Sequence, residues 1–241
     1  MLVDVLGVDF DKLTMEESLD RAMENIHGGK NAMVCTPNPE IVWLARKNTA
    51  LKEALAQAEF VLADGVGITL GAKILGRPLP ARLPGIDFAG GLLERLAQEG
   101  KSVFLYGAKP GVAKQAAQNL EERYPGLQIA GTADGYGEDE PVIAQIQETR
   151  PDVLFVCLGA PRQELWMTRH REVLNVPLMA GLGGSLDVFS GTVKRAPPIF
   201  GRLGLEWLYR LAKNPRRIGR MLKLPLFLFA VIGQRLGLKN K

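Results

Sequence analysis

The chain has 241 residues, 46% hydrophobic and 23% charged, with a net charge of +4, a length that fits one large domain or a domain with an appendage. Two cysteines, Cys35 and Cys157, each within an apolar run, are too few for a disulfide framework or a zinc cage, and point to a reducing compartment with both thiols buried. The start lacks a basic segment followed by a long apolar run, and the most apolar stretch, Leu224 to Ile232, holds Pro225 and falls short of the ~20 residues that span a bilayer, so a cytoplasmic body is expected.

In chain order, short apolar runs at Ala32–Cys35, Phe60–Ala63, Val103–Tyr106, Val153–Leu158 and Leu178–Ala180 alternate with helical patterns. The helices expected from apolar spacing of three and four are Pro39–Ala58, Phe88–Gln98, Gly111–Tyr124, Pro141–Glu148 and Gln163–Leu174. Continuous apolarity suits strands buried on both faces. The fold class is therefore α/β, a Rossmann-like, mainly parallel sheet with helices on both faces, followed by a C-terminal basic helical appendage.

Ligands in such sheets bind beyond the carboxyl ends of the strands, so the residues after each run matter most. They are Thr36-Pro37-Asn38, Asp64-Gly65, Gly107-Ala108-Lys109-Pro110-Gly111, Gly159-Ala160-Pro161-Arg162-Gln163 and Gly181-Leu182-Gly183-Gly184-Ser185. Polar groups and glycines thus collect on one edge, the pattern expected of a site. The glycine turns suit either phosphate contact or tight turning; neither the Gly-Lys-Ser/Thr loop nor the dinucleotide spacing is present, since Gly65-Val66-Gly67 reaches Gly71 one residue late. Asp64 reads as a general base or as a turn or capping residue. Asn38 and Gln163 face a choice between cap and ligand contact. Arg82, in a proline-rich loop with little apolar content, is either solvated or a bidentate clamp for a diphosphate. Metal chemistry is poorly supported: His27 and His170 stand alone as surface or helix-end residues, and Asp9-Phe10-Asp11 reads as a turn. No Gly-x-Ser-x-Gly nucleophile elbow occurs.

Charge divides the chain in two. Residues 1–193 carry 18 basic and 25 acidic side chains, net −7, whereas 194–241 carry 12 basic and one acidic, Glu206, net +11. Lys213, Arg216, Arg220 and Lys223 form a basic stripe at helical spacing, and Ile218, Leu222, Pro225 and Phe229 an apolar one, with Trp207 and Tyr209 upstream. That arrangement suits an anionic membrane surface. Nucleic acid attracts the same charge, and a helix packed on the body is the plain alternative; the apolar side favours lipid.

Five segments together resemble the bacterial N-acetylmannosaminyltransferase-type glycosyltransferases (the WecG/TagA/CpsF type) of wall teichoic acid, enterobacterial common antigen and capsule synthesis. They are Thr36-Pro37-Asn38-Pro39-Glu40, Ala63-Asp64-Gly65-Val66-Gly67, Arg82-Leu83-Pro84-Gly85, Gly159-Ala160-Pro161-Arg162-Gln163-Glu164 and Val193-Lys194-Arg195-Ala196-Pro197. They fall in the family's order and span nearly the whole chain. The resemblance implies inverting transfer of N-acetylmannosamine from UDP-N-acetylmannosamine to N-acetylglucosamine on undecaprenyl diphosphate, with no metal and no cofactor. It makes Asp64 the base and places Thr36, Asn38 and Gln163 in the sugar pocket, with Arg82 at the diphosphate. It puts Gly107, Tyr136 and Asp187 near the uridine and ribose, although the family's histidines before Gly135-Tyr136 are replaced here by Ala133-Asp134.

For residues 194–241 the resemblance implies a membrane-targeting appendage that completes the active site of a core spanning 1–193. Arg210, Arg216, Arg217 and Arg220 are its candidate nucleotide contacts. The expected setting is peripheral, on the inner face of the cell membrane, with a self-associating core when the appendage is absent. Rival readings keep the fold with another UDP-sugar, glucose or N-acetylmannosaminuronic acid, or make the chain a nucleotide-binding membrane scaffold without catalysis.

Overall fold

The computed structural model describes residues 1–197, 200, 208, 209 and 223–238. A hairpin of β1 (Leu2–Val5) and β2 (Val8–Asp11) precedes a six-stranded parallel sheet. The sheet strands are β3 (Ala32–Cys35), β4 (Phe60–Val61), β5 (Ser102–Gly107), β6 (Gln128–Ala133), β7 (Val153–Cys157) and β8 (Leu178–Gly181), in the spatial order β4-β3-β8-β7-β5-β6. All five expected runs are strands, and those of β3, β7 and β8 are buried at every residue, which is why they lack polar alternation.

Because side chains alternate across a strand, Ala32, Val34, Val153, Phe155, Leu178 and Ala180 enter one core. Their neighbours Met33, Cys35, Leu154, Val156 and Met179 enter the other. Helices α1 (Met15–His27), α5 (Gly85–Gln98), α6 (Val112–Arg123) and α9 (Ser185–Phe189) cover the first face. The second is covered by α2 (Pro39–Ala45), α3 (Thr49–Ala56), α4 (Val66–Ile74), α7 (Asp139–Thr149), α8 (Arg162–Leu174) and the hairpin. Adjacent strands β3, β8 and β7 therefore send their following helices α2, α9 and α8 to opposite faces, which opens a crevice at their carboxyl ends.

Several expectations change. Asp9-Phe10-Asp11 is strand β2, not a turn: Phe10 is fully buried, and Asp11 pairs with Arg21 at 2.8 Å and accepts from the Val61 amide at 2.9 Å, which ties the hairpin to β4. The single helix expected over Pro39–Ala58 is two, because the Asn48 side chain accepts from Leu51 N at 3.0 Å and caps α3 after a break. The apolar patterns do not mark the hairpin, strand β6 or helices α1, α4 and α9. The α1 start carries a capping box, Thr14 with Glu17. His27 ends α1 and contacts Glu99, as a helix-end residue would. His170, however, is largely buried against Trp166 and is no surface group.

The last described helix, α10 (Lys223–Arg235), packs on α2 and α4. Phe227 and Val231, both fully buried, join the second core. Gly67 makes the approach possible: a Cβ there would stand 2.5 Å from Pro39 Cγ and 2.8 Å from Leu224 Cδ1. One turn on, Gly71 faces Phe227 and Val231. At the far end Gln234 accepts from Leu6 N at 2.9 Å and donates to Asp4, while Arg235 donates to Ile74 O. Of the expected apolar stripe, Ile218 and Leu222 lie outside the described residues, and Pro225 and Phe229 face outward together with Leu226 and Ile232. Among the described residues no helix is long and apolar enough to cross a membrane.

Candidate active site

A cavity of about 370 Å³ opens at the carboxyl ends of β3, β4, β7 and β8. It brings together Thr36, Asn38, Asp64, Arg82 and Gln163, five residues spread over 128 positions of sequence. Each is set by local chemistry. Asn38 caps α2: its Oδ1 accepts from Glu40 N at 2.9 Å and Ile41 N at 3.1 Å, and Pro39 fills the first helical position. Cap and cavity residue are thus the same residue.

Thr36 is buried and donates its hydroxyl to Gly181 O at 2.9 Å, which joins the ends of β3 and β8 and leaves the oxygen as an acceptor. Asp64, half-buried, lies three residues past the end of β4, and the N-cap of α4 is Gly65 at φ +98°. The Arg82 loop is fixed beside it, because Leu83 N donates to Ala63 O at 2.9 Å and the Leu83 side chain is buried. The loop does contain an apolar anchor, and Arg82 is half-buried on the cavity wall instead of solvated. A carboxylate and a guanidinium are therefore carried on two loops that hydrogen-bond to each other.

Gln163 lines the cavity but is not the helix cap. Its Oε1 accepts from Gly159 N at 3.2 Å and Gly183 N at 2.9 Å, and its Nε2 donates to Glu164 Oε1 at 2.9 Å. Burial pushes the Glu164 carboxyl above the usual range, while the bond from Gln163 works in the other direction.

The remaining expected residues fall elsewhere. Gly107, Tyr136 and Asp187 lie on the same edge but outside this cavity's wall. Ala108 N donates to Cys157 O at 3.1 Å, Gly135 N donates to Ala108 O at 2.9 Å, and Arg162 donates to Gly135 O at 2.6 Å, so the β5 and β6 turns are held together there. Tyr136 is 70% exposed beside them. Behind that turn Tyr106 is pushed up to about 12 by burial, with Asp139 adding to the effect. Arg210, Arg216, Arg217 and Arg220 lie outside the described residues.

Sequence reasoning missed Leu224, which reaches the cavity from α10, and the apolar wall of Ile41, Leu44 and Val66 beside it. The signal was the pair Gly67 and Gly71, four residues apart on one helix face, which marks a close helix contact.

The chain matches the model of the Glycosyl transferase WecG/TagA/CpsF family over residues 3–241. Similar proteins include the N-acetylglucosaminyldiphosphoundecaprenol N-acetyl-beta-D-mannosaminyltransferase of Bacillus spizizenii, 42% identical over 84% of this chain and 79% of that protein. The protein of the same name from Staphylococcus aureus strain MW2 is 38% identical over 95% of this chain and 91% of its own length. A family match over almost every residue, together with an α/β crevice that gathers the expected side chains, leads to one conclusion: the chain belongs to the WecG/TagA/CpsF family of glycosyl transferases.

Proposed function

We propose that the chain transfers N-acetylmannosamine from UDP-N-acetylmannosamine to N-acetylglucosamine on undecaprenyl diphosphate, with inversion and without a metal ion. The observation that carries this reading is the pairing of Asp64 and Arg82 on hydrogen-bonded loops within one cavity. The names of the relatives support the choice of substrates. In the proposed step the acceptor hydroxyl oxygen bonds to the anomeric carbon as the bond from that carbon to the UDP oxygen breaks. Asp64 takes the hydroxyl proton, and Arg82 neutralises charge gathering on the departing diphosphate. Thr36 and Asn38 offer an acceptor and donors to sugar hydroxyls and the N-acetyl group.

Residues 194–241 act in this reading as the module that brings the acidic body to an anionic membrane, where a polyprenyl-linked acceptor resides. Its net charge of +11 and the outward apolar side chains of α10 support that role. UDP release by the full chain with UDP-N-acetylmannosamine and a short-chain lipid-diphosphate-N-acetylglucosamine tests the proposal. Acceptor-dependent release that persists in EDTA is expected, with other UDP-sugars slower. Asp64→Asn is expected to lower turnover roughly 10²- to 10⁴-fold. Equal turnover by wild type and Asp64→Asn would remove the base assignment, and UDP-glucose outpacing UDP-N-acetylmannosamine would replace the donor.

A further inference from the structure

Glu164 is 1% exposed, next in sequence to the cavity-lining Gln163, and its Oε2 has no hydrogen-bond partner among the described residues. Burying a carboxyl with half of its acceptor capacity unused costs stability, so its presence calls for a role other than filling space. What it does hold is Gln163, itself 2% exposed. With two backbone donors on the amide oxygen and one carboxyl acceptor on the amide nitrogen, Gln163 has a single orientation. Through it the loop after β7, at Gly159, is tied to the loop after β8, at Gly183. A third segment joins because the amide lies over Gly181, where a Cβ would stand 3.1 Å from Gln163 Nε2 and 2.9 Å from Met167 Cε. Gly181 O in turn receives the Thr36 hydroxyl at the end of β3.

We infer that Glu164 is a positioning residue: by fixing the Gln163 amide it locks the ends of β3, β7 and β8 into one rigid wall of the cavity. It touches no substrate. Its contribution is to keep Thr36 and the Gly159 and Gly183 backbones in register, so that a bound sugar meets a preformed surface. A neutral amide that accepts from Gln163 fulfils the same task, so Glu164→Gln is expected to preserve the wall. Glu164→Ala and the volume-matched Glu164→Met remove the acceptor, the latter without opening a cavity.

The test joins a backbone readout to a kinetic one on the full chain. Amide hydrogen exchange at Gly159 and Gly183, followed by NMR, is expected to quicken about tenfold or more in Glu164→Met and to return near the wild-type rate in Glu164→Gln. Leu174→Ala, at the far end of the same helix, serves as the stability control and is expected to leave both amides protected. In the UDP-release assay Glu164→Met is expected to lose about tenfold in kcat/KM while Glu164→Gln stays within about threefold. In a Gln163→Ala background Glu164→Met should then cost nothing further, because the two residues act in series. Unchanged exchange at both glycines in Glu164→Met overturns the inference, as does equal loss in the Gln and Met variants. The kinetic arm rests on the proposed function and the exchange arm does not. Wild-type protein inactive on every UDP-sugar, with exchange responding as described, would overturn the substrate reading and leave the wall intact.

Discussion

Two walls of one cavity are built by opposite means. On the β7–β8 side the wall is backbone and amide, held by hydrogen bonds through Gln163, Thr36 and Glu164. On the α4 side it is apolar contact, Leu224 of α10 seated over Gly67 with Phe227 and Val231 on Gly71. Hydrogen bonds fix direction, so the first wall can present donors and acceptors at set positions. Apolar packing is non-directional and scales with area, so the second can admit a helix whose other contacts lie elsewhere. The cavity thereby combines a hydrogen-bonded wall with an apolar one contributed in part by the basic segment. The compositional break after Val193 is consequently no break in packing for α10, which shares a core with β1, β2, α2 and α4.

The sharpest way to break this contrast is Phe227→Ala. If α10 is part of the same cooperative unit, removing a fully buried ring is expected to destabilise the whole chain by about 3–5 kcal/mol, visible as one thermal transition at lower temperature. An unchanged main transition with only α10 becoming protease-sensitive would mean that α10 is a detachable lid on an independent body. Gly67→Val comes next. A Cβ 2.5 Å from Pro39 Cγ and 2.8 Å from Leu224 Cδ1 forces α10 and α4 apart, at an expected cost of about 1–3 kcal/mol, and cleavage within α10 together with slowed UDP release measures the opening. Unaltered cleavage and turnover would show that the apolar wall does not depend on the glycine.

The hydrogen-bonded wall is tested by pH. Glu164 is held above the ordinary carboxyl range by burial, so the folded chain keeps its proton to higher pH than the unfolded chain does. The associated stability is present below the unfolded value and is lost as pH rises through the folded one. Denaturant unfolding of wild type and Glu164→Gln is therefore expected to diverge as pH climbs out of the acid range, with the Gln variant gaining relative to wild type. Parallel profiles would mean that Glu164 titrates as it does in the unfolded chain. The smallest effect is expected from Phe229→Ser. This side chain is 72% exposed on the outer face of α10, so stability should stay within about 0.5 kcal/mol while liposome flotation on anionic vesicles falls. Flotation equal to wild type would take the outer face of α10 out of the membrane reading.

Much of the site was legible because strand ends carry their chemistry in sequence. Once β3, β4, β7 and β8 are recognised as apolar runs, Thr36, Asn38, Asp64 and Gln163 follow within six residues of each run's end. Elements whose signal is not continuous apolarity were harder to see. The hairpin alternates Val3, Val5, Val8 and Phe10 inward with polar residues between, a period-two pattern easily lost around the Leu6–Gly7 turn. Strand β6 lies at the sheet edge, is only partly buried and contains Gly131, so it lacks the run of large side chains that marks a central strand.

The sequence by itself determined the parallel α/β class, the edge on which the site forms, and the charge division after Val193. These follow from local periodicity and from residues next to one another in the chain. Only the tertiary structure decided that Gln163 serves as a bracket and Asn38 as a cap as well as a cavity residue. It also decided that Arg82 is held beside Asp64 through Leu83, and that α10 returns to complete the wall at Gly67. The Gln163–Gly183 bond, the Leu83–Ala63 bond and the Gly67–Leu224 contact join residues 20 to 157 positions apart, whereas the Asn38 cap itself is local, to Glu40 and Ile41. A hydrogen bond or close contact across such separations depends on how the chain closes in space, which no local pattern encodes.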